Sequence, residues 1–400
     1  MSNLVWIELD GEAPDHNLRE LSRGLKKGTV LCAVVKANAY GHGVKEMLPL
    51  LPSADWFAVN SLEEGIELRE TGEKRPILIL GYVPLHVLEE AILRNLDLTV
   101  YNGETLEALS RLDLRGIGSA RLHMKVETGT GRQGILPEEI EGFVEKLKNV
   151  EGAKLVGVST HFANIEDTLN HDYAQVQLDR FRIVLELMDR LKMKPDFVHT
   201  AATAAAILFS KTHFNLVRAG IGIYGLWPSR ETYLSTLLGH RPVPELKPVA
   251  TWKTRIVQIK NLPEGSYVGY GCTYKATRPI RLAVLPVGYA DGYDRKLGNT
   301  AYVLIRGKRA PVVGRVCMNL TMVDVSDIPQ ARLEEEVVLL GRDGEEKVSA
   351  ETMAEWAGTI NYEIVSRISP FLPRRVVRQK QQGEDAAADR PPSTPDRRKP

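Results

Sequence analysis

Strand-like and helix-like segments alternate from Val30 to Arg218, and this alternation restricts the possible folds more than any other feature of the sequence. Eight short apolar runs predict buried strands: Val30–Val35, Trp56–Val59, Ile77–Leu80, Leu98–Val100, Arg121–Val126, Leu155–Ser159, Phe197–His199 and Asn215–Val217. Helical patterns lie between them, near residues 44–51, 61–71, 86–95, 104–112, 136–147, 173–193 and 203–209. About eight β/α units in roughly 220 residues are typical of a (β/α)8 TIM barrel. A doubly wound open sheet is the alternative, but the Gly-rich nucleotide loop usual after its first strand is missing from the sequence.

The pattern changes after Leu226, which indicates a second domain. Residues 227–248 are rich in Pro and polar residues and predict a linker. Short strand-like runs then follow closely spaced turns and predict an all-β domain: Ala250–Ile259, Ser266–Tyr270, Arg281–Pro286, Ala301–Ile305, Lys308–Val313, Thr321–Asp324 and Val337–Leu340. A last helix is predicted near Ser349–Ala357. We expect an N-terminal strand within residues 1–10 that joins the β domain, a barrel over 11–235, the β domain over 236–378 and a disordered tail over 379–400.

Composition excludes several classes of function. The chain has 400 residues with 52 Lys and Arg against 51 Asp and Glu, so we predict no nucleic-acid partner. No apolar run approaches the length that spans a bilayer, and the N-terminus has no signal-peptide core, so we predict no membrane association. The three cysteines form no metal-ligand spacing, and we predict no metal site. Their scatter favours a reducing compartment and therefore a cytoplasmic location.

A lysine ends the first predicted barrel strand, in the stretch TVLCAVVKANAYGHG (Thr29–Gly43). The carboxyl ends of barrel strands are where such proteins place catalytic groups. Partial burial of Lys36 would lower the pKa of its ammonium, and the neutral amine could attack a carbonyl to form a Schiff base. The alternative is a strand-end lysine that only reaches solvent.

Three further strand ends carry polar side chains or backbone N–H groups that could form a site. Lys125 and Glu127 share one face of the fifth strand, so Lys125 is either a functional group or one half of a buried ion pair. His161 follows the sixth strand and is either a site residue or a hydrogen-bonded structural group. After the eighth strand, the backbone N–H groups of Gly220 and Ile221 could bind a phosphate.

Several motifs together resemble the alanine racemase family, which uses pyridoxal phosphate bound in a fold-type III barrel. They are VVKANAYGHG, HMKVETGTGRQG, STHFA, HTAATAA and NLVRAGIGIYGL in the barrel, and VGYGCTY, PVGYADGY, GRVCMN and GTINYE in the β domain. They occur in the family's order, and the resemblance runs from about Trp6 to Arg374.

The resemblance implies a role for each matching residue. Lys36 and Tyr270 would be the two catalytic bases, with Lys36 also bound to the cofactor. The other implied cofactor-binding residues are Tyr40, His161, Thr203, Arg218, Gly220, Ile221 and Tyr362. Arg132, Tyr289 and Met318 would bind the substrate or line its entrance, and Lys125 would be an N6-carboxylysine that holds Arg132. Arg218 would face the pyridine nitrogen and, because arginine keeps its proton, leave that nitrogen unprotonated.

This chain departs from the family pattern at three places. Glu127 replaces the usual Asp, Ala202-Thr203 replaces Asn-Ser, and Asn319 replaces a frequent Asp. Thr203 retains a hydroxyl that can bind phosphate, but Ala202 lacks the amide and Asn319 removes a negative charge.

The resemblance implies a homodimer with shared active sites, because the family's counterpart of Tyr270 comes from the partner subunit. The implied reaction interconverts L-alanine and D-alanine and supplies D-alanine for peptidoglycan. The alternatives are an amino-acid decarboxylase, a serine or broader-specificity racemase of the same fold, and a non-enzymatic pyridoxal-phosphate carrier. Arg218 argues against the decarboxylase, which usually has a glutamate there, and the β domain with Tyr270 argues against the carrier.

Overall fold

The structure, a computed structural model, describes residues 3–378, and eight of its strands form a closed parallel barrel. β1 (Val5–Asp10) comes first, outside the barrel. The barrel strands are β2 (Val30–Val34), β3 (Trp56–Val59), β4 (Ile77–Ile79), β5 (Asp97–Val100), β6 (Ala120–Lys125), β7 (Ala153–Ser159), β8 (Phe197–His199) and β9 (Leu216–Ala219). β2 to β8 pair in parallel in the order of the sequence, and β9 pairs in parallel with β2. The Asn215 N–H reaches the Val198 carbonyl over 3.4 Å and brings β8 beside β9. The predicted TIM barrel is therefore confirmed.

Helices surround the barrel and connect its strands. They are α1 (Ala13–Ser22), α2 (Lys36–Tyr40), α3 (Val44–Met47), α4 (Leu62–Glu70), α5 (Leu88–Leu93), α6 (Gly103–Leu109), α7 (Leu114–Ile117), α8 (Ile140–Lys148), α9 (Asp172–Arg190) and α10 (Thr203–Leu208). Side-chain caps begin several of them. The Ser61 hydroxyl accepts from the Glu64 N–H and Asn102 Oδ1 accepts from the Thr105 N–H, which satisfies N–H groups that a helix start leaves free.

The remaining strands form the predicted all-β domain. They are β10 (Ala250–Arg255), β11 (Gln258–Leu262), β12 (Tyr267–Val268), β13 (Tyr274–Lys275), β14 (Ile280–Leu285), β15 (Tyr302–Ile305), β16 (Lys308–Pro311), β17 (Thr321–Asp324), β18 (Glu336–Asp343), β19 (Glu346–Val348) and β20 (Arg374–Val377). The largest sheet has the order β16-β15-β18-β10-β1-β20, with β19 beside β18. β1 thus pairs antiparallel with β10 and parallel with β20. The exact domain boundaries given above stay predictions, and the predicted disordered tail lies outside the described residues.

Three differences between the predicted elements and the structure concern the linker, one strand and a missed helix. The predicted linker contains α11 (Arg230–Leu238), whose first turn is capped by the Ser229 hydroxyl accepting from the Thr232 N–H. The predicted strand over 250–259 is two strands, because the chain changes sheets near Ile256. β10 pairs with β18, whereas β11 pairs with β14 of another sheet. Beyond α12 (Ala350–Ala357), the sequence analysis missed α13 (Asn361–Ser366), which carries Tyr362 to the barrel.

Candidate active site

A cavity of about 520 Å³ opens at the carboxyl ends of the barrel strands. Its volume lies in the range of small-molecule sites. Ten of the predicted site residues line it: Lys36, Tyr40, Lys125, Arg132, His161, Thr203, Arg218, Gly220, Ile221 and Tyr362. Nine of them come from the barrel and Tyr362 comes from α13. The fold therefore gathers side chains that are up to several hundred residues apart in sequence.

Lys36 begins a turn with an uncommon backbone. The four residues Ala37 to Tyr40 have φ between 51° and 54°, in the left-handed region, and none is glycine. Such a conformation costs roughly 1–2 kcal/mol per residue. Both oxygens of Glu64 stabilise this region: Oε1 accepts from the Ala37 N–H and Oε2 from the Asn60 N–H, each over 2.6 Å. Strain held in this way is typical of functional sites.

The two lysines of the cavity have depressed pKa values. Burial lowers the pKa of Lys36, the nearby positive charge of Arg132 lowers it further, and Glu64 opposes both. Burial, followed by Arg218 and Arg132, lowers the pKa of Lys125 to about 8. A larger share of each amine is therefore neutral near pH 7 than in an ordinary lysine, as nucleophilic chemistry requires.

Lys125 does not form the ion pair with Glu127 that the sequence left open. The Glu127 carboxylate instead binds the following loop, accepting from the N–H groups of Gly129 and Thr130 over 2.5 Å and of Arg132 over 3.1 Å. The Lys125 amine donates to Gln133 Oε1 over 3.3 Å. The Glu127 carboxylate thus shapes the loop that carries Arg132, and Gln133 is a cavity residue that the sequence analysis missed.

Arg218 is buried and lines the cavity, and both terminal nitrogens of its guanidinium donate hydrogen bonds. Nη1 donates to His199 Nδ1 and to the His199 carbonyl, and Nη2 donates to the carbonyls of Thr160 and Thr200, the three carbonyl bonds each measuring 3.1 Å. Burial lowers the Arg218 pKa to about 10, so the group stays charged at neutral pH. Burial, followed by the charge of Arg218, lowers the pKa of His161 to about 3, which keeps that imidazole neutral.

Another group of cavity residues, called the phosphate cradle below, consists of Tyr40, Thr203, Gly220, Ile221 and Tyr362. A Cβ at Gly220 would lie 2.9 Å from the Tyr40 hydroxyl, so only glycine leaves that space open. Thr203 Oγ1 accepts from the Gly220 N–H over 2.9 Å, which orders the turn that begins at Ile221. Burial raises the pKa of both Tyr40 and Tyr362 and keeps their phenols as neutral donors. Hydroxyl and backbone N–H donors around a small-residue turn fit a phosphate group.

One acidic residue beside this cradle was missed by the sequence analysis. Glu166 lines the cavity and accepts a hydrogen bond from the Tyr362 hydroxyl over 2.9 Å. Burial raises its pKa, the hydrogen bond from Tyr362 opposes this, and Asp167 adds to the increase. The only signal in the sequence was its place five residues after His161 in a loop leaving a barrel strand.

The three remaining predicted residues lie outside the cavity. Tyr270, Tyr289 and Met318 are in the β domain with exposed fractions of 73%, 43% and 57%. Tyr270 begins a short 3-10 turn after β12. Large apolar side chains exposed to this degree on one domain are suited to contact another molecule. Their predicted roles stay predictions.

The barrel mouth, the two lysines of lowered pKa and the phosphate cradle define a class of barrel protein whose site suits a small phosphate-bearing molecule. Family profiles for "Alanine racemase, N-terminal domain" and "Alanine racemase, C-terminal domain" match residues 9–228 and 249–376. The chain is 42% identical over 372 residues to an alanine racemase of Halothermothrix orenii, covering 92% of this chain and 96% of that one. The chain belongs to the alanine racemase family.

Solved structures agree with this assignment. The alanine racemase from Bacillus anthracis with bound L-Ala-P superposes with a TM-score of 0.86 at 35% identity, covering 95% of this chain and 96% of that one. A histidine racemase from Leuconostoc mesenteroides has a TM-score of 0.83 at 28% identity, covering 94% and 98%. The family resemblance is therefore confirmed, and the same fold serves racemases named for different amino acids. Within residues 3–378, no helix is both long and apolar enough to cross a membrane.

Proposed function

We propose that this racemase interconverts L-alanine and D-alanine with pyridoxal 5'-phosphate as cofactor. The observation that carries the proposal is the arrangement of one cavity, in which Lys36, Arg218 and the phosphate cradle line different parts of the wall. We further propose that it acts as a homodimer in the cytoplasm and supplies D-alanine for peptidoglycan. The match to both family domains over nearly the whole chain supports this proposal and disfavours a non-enzymatic carrier.

The residues of the cavity fit the cofactor. Lys36 would supply the amine that binds it covalently, and Tyr40, Thr203, Gly220, Ile221 and Tyr362 would surround its phosphate. His161 contributes a neutral ring to pack against the cofactor ring. When bound, the cofactor withdraws electrons from the substrate Cα and makes its proton removable.

Arg218 sets how strongly that electron withdrawal acts. Its guanidinium does not give up a proton at working pH, so Arg218 would keep a cofactor nitrogen beside it unprotonated. The bound cofactor would then supply weaker electron withdrawal, and the bases would return the proton to Cα quickly. This favours racemisation over transamination.

Racemisation requires a base on each face of Cα. Lys36 removes or returns the proton on one face, and Tyr270 of the second subunit does so on the other. Arg132 binds the substrate carboxylate, and Lys125, as an N6-carboxylysine, holds Arg132 in place. Tyr289 and Met318 line the entrance. The exposure of Tyr270, Tyr289 and Met318 in the single chain supports a site completed by a partner.

Circular dichroism of an L-alanine solution tests the proposed function directly. With the purified holoenzyme, the optical signal should decay to zero, and D-alanine should give the mirror-image decay. The same assay with L-serine and L-histidine separates an alanine-specific enzyme from a racemase of broader or different specificity. No change with L-alanine, for a protein shown to hold pyridoxal phosphate, would contradict the proposal.

A further inference from the structure

A continuous row of hydrogen bonds runs through the barrel interior away from the cavity. Arg218 donates to His199 Nδ1, His199 Nε2 lies 2.9 Å from His123 Nδ1, and His123 Nε2 lies 3.2 Å from Asp97 Oδ2. The side chains of all four are buried. Neither His123 nor Asp97 has a role in the function proposed above.

The chemistry of the two end groups decides the direction of every bond in this row. A guanidinium can only donate, and an ionised carboxylate can only accept. His199 Nδ1 must therefore accept from Arg218, which leaves the proton on Nε2. His123 Nδ1 must accept that proton's hydrogen bond, so its own proton is on Nε2 and points to Asp97. Burial lowers the pKa of both imidazoles, in keeping with neutral rings that each carry one proton.

The fold is locally irregular where this row crosses it. The pairing of β6 with β7 shifts register between Leu122 and His123, a bulge of the kind that re-aims a side chain. On β7, Gly157 faces the His123 ring, and a Cβ there would lie 2.0 Å from His123 Nδ1. The sequence thus provides both a bulge and a glycine to admit this imidazole.

The buried positive charge of Arg218 gives this row of hydrogen bonds a purpose. The described hydrogen bonds of Arg218 go to neutral acceptors, and no ion pair with a carboxylate is found for it within residues 3–378. A buried charge without compensation is costly. Asp97 is the carboxylate that the two rings connect to Arg218, and Arg121 donates to both of its oxygens, to Oδ1 over 2.8 Å and to Oδ2 over 3.1 Å.

We propose that Asp97 and His123 are positioning residues for Arg218: they lock His199 in the tautomer that accepts from the guanidinium and thereby hold Arg218 charged and aimed at the cavity. This rests on the proposed function in one respect, the placement of the cofactor ring nitrogen against Arg218. The tautomers themselves do not depend on it.

Nitrogen NMR of the unmodified, histidine-labelled holoenzyme tests the tautomers, and substitutions in the row serve only to assign the signals. His123 and His199 should each show a protonated Nε2 and an unprotonated Nδ1 at neutral pH, with assignments from His123→Gln and His199→Gln. A proton on Nδ1 of either ring, or two protons on one ring, would overturn the proposal. The spectrum does not depend on turnover, so the result for the tautomers can be distinguished from a failure of the proposed racemase activity.

Asp97→Asn tests the consequence. The amide keeps the shape of the side chain but not its charge, and it can donate as well as accept, so His199 should become a mixture of tautomers. We expect kcat for racemisation to fall by about tenfold, the scale of one weakened hydrogen bond to a charged group. KM should change little, and the ratio of transamination to racemisation should rise.

His213→Gln is the matched control, because His213 is an equally buried histidine whose Nε2 bonds the Ala206 carbonyl away from the cavity. It should cost stability but leave the His199 nitrogen signals and the product ratio unchanged. If Asp97→Asn behaves like this control, or leaves the His199 signals as in the unmodified protein, Asp97 has no positioning role. If Asp97→Asn does not fold, the tautomers measured in the unmodified protein still test the proposal.

Discussion

The Tyr362 hydroxyl donates a hydrogen bond to Glu166 Oε2 over 2.9 Å, and this bond joins the β-domain helix α13 to the loop after barrel strand β7. Both residues line the cavity at the proposed phosphate cradle. A carboxylate in that place is ionised only at a cost, and burial accordingly raises the Glu166 pKa. A bound phosphate would increase that cost, because like charges repel in a partly buried site.

We therefore predict that Glu166→Gln tightens the binding of pyridoxal phosphate. In the unmodified protein, affinity should fall as pH rises through the Glu166 pKa, because the carboxyl then becomes negative. In Glu166→Gln that part of the pH dependence should disappear. The measurement is a fluorescence titration of apoprotein at several pH values. Asp167→Asn removes the same charge next to the cavity lining and should leave most of the dependence in place.

Lys36→Ala should abolish covalent cofactor attachment and reduce racemisation to a small residual rate. The strained turn after residue 36 aims the lysine into the cavity, and alanine has no amine to react. We expect activity to fall on the order of 10³-fold, within the usual range for loss of an acid–base group. Borohydride treatment followed by mass spectrometry measures attachment. Lys45→Ala, an exposed lysine near Glu67, is the control, and a cofactor still reducible onto the Lys36→Ala protein would contradict the assignment.

Arg132→Gln should raise the pKa of Lys36. The positive charge of Arg132 is the second cause that lowers this pKa after burial, so its removal moves the value toward that of an ordinary lysine. Less neutral amine is then present at a given pH, and the reactivity profile shifts to higher pH. The rate at which apoprotein captures pyridoxal phosphate, measured by absorbance across pH, reports the shift. Arg182→Gln, an exposed arginine paired with Asp179, should leave the profile where it was.

Tyr270→Phe should slow racemisation by about 10²-fold or more, because phenylalanine keeps the ring but cannot transfer a proton. Proton abstraction from one enantiomer should suffer most, while Lys36 continues to exchange the Cα proton of the other in deuterated water. Tyr267→Phe changes another exposed tyrosine of the same domain and should have little effect.

Mixing Tyr270→Phe with Lys36→Ala protein tests whether the site is shared between subunits. A mixed dimer would contain one site with both defects and one with neither, so activity should return. Size-exclusion chromatography with differently tagged chains verifies that subunits exchange. Exchange without recovered activity would place both bases on one chain.

Much of the fold could be predicted from the sequence, because its signals are local. Eight apolar runs separated by helical patterns predict parallel strands buried on both faces, and closure into a barrel follows from their number. Lys36, Lys125, His161 and Arg218 each end such a run, so the barrel topology alone brings them to one mouth. The order of the motifs then indicated the family.

Only the tertiary structure decided what surrounds these residues. His123 and His199 are 76 residues apart, and His123 and Asp97 are 26 apart, yet they form one row because β5, β6, β7 and β8 are neighbours in the barrel. Glu166 meets Tyr362 across 196 positions because α13 of the β domain packs at the barrel mouth. Hydrophobic periodicity states which face of an element is buried, but not which polar groups share that interior. The partners, protonation states and strain of the site therefore depend on packing between elements distant in the chain.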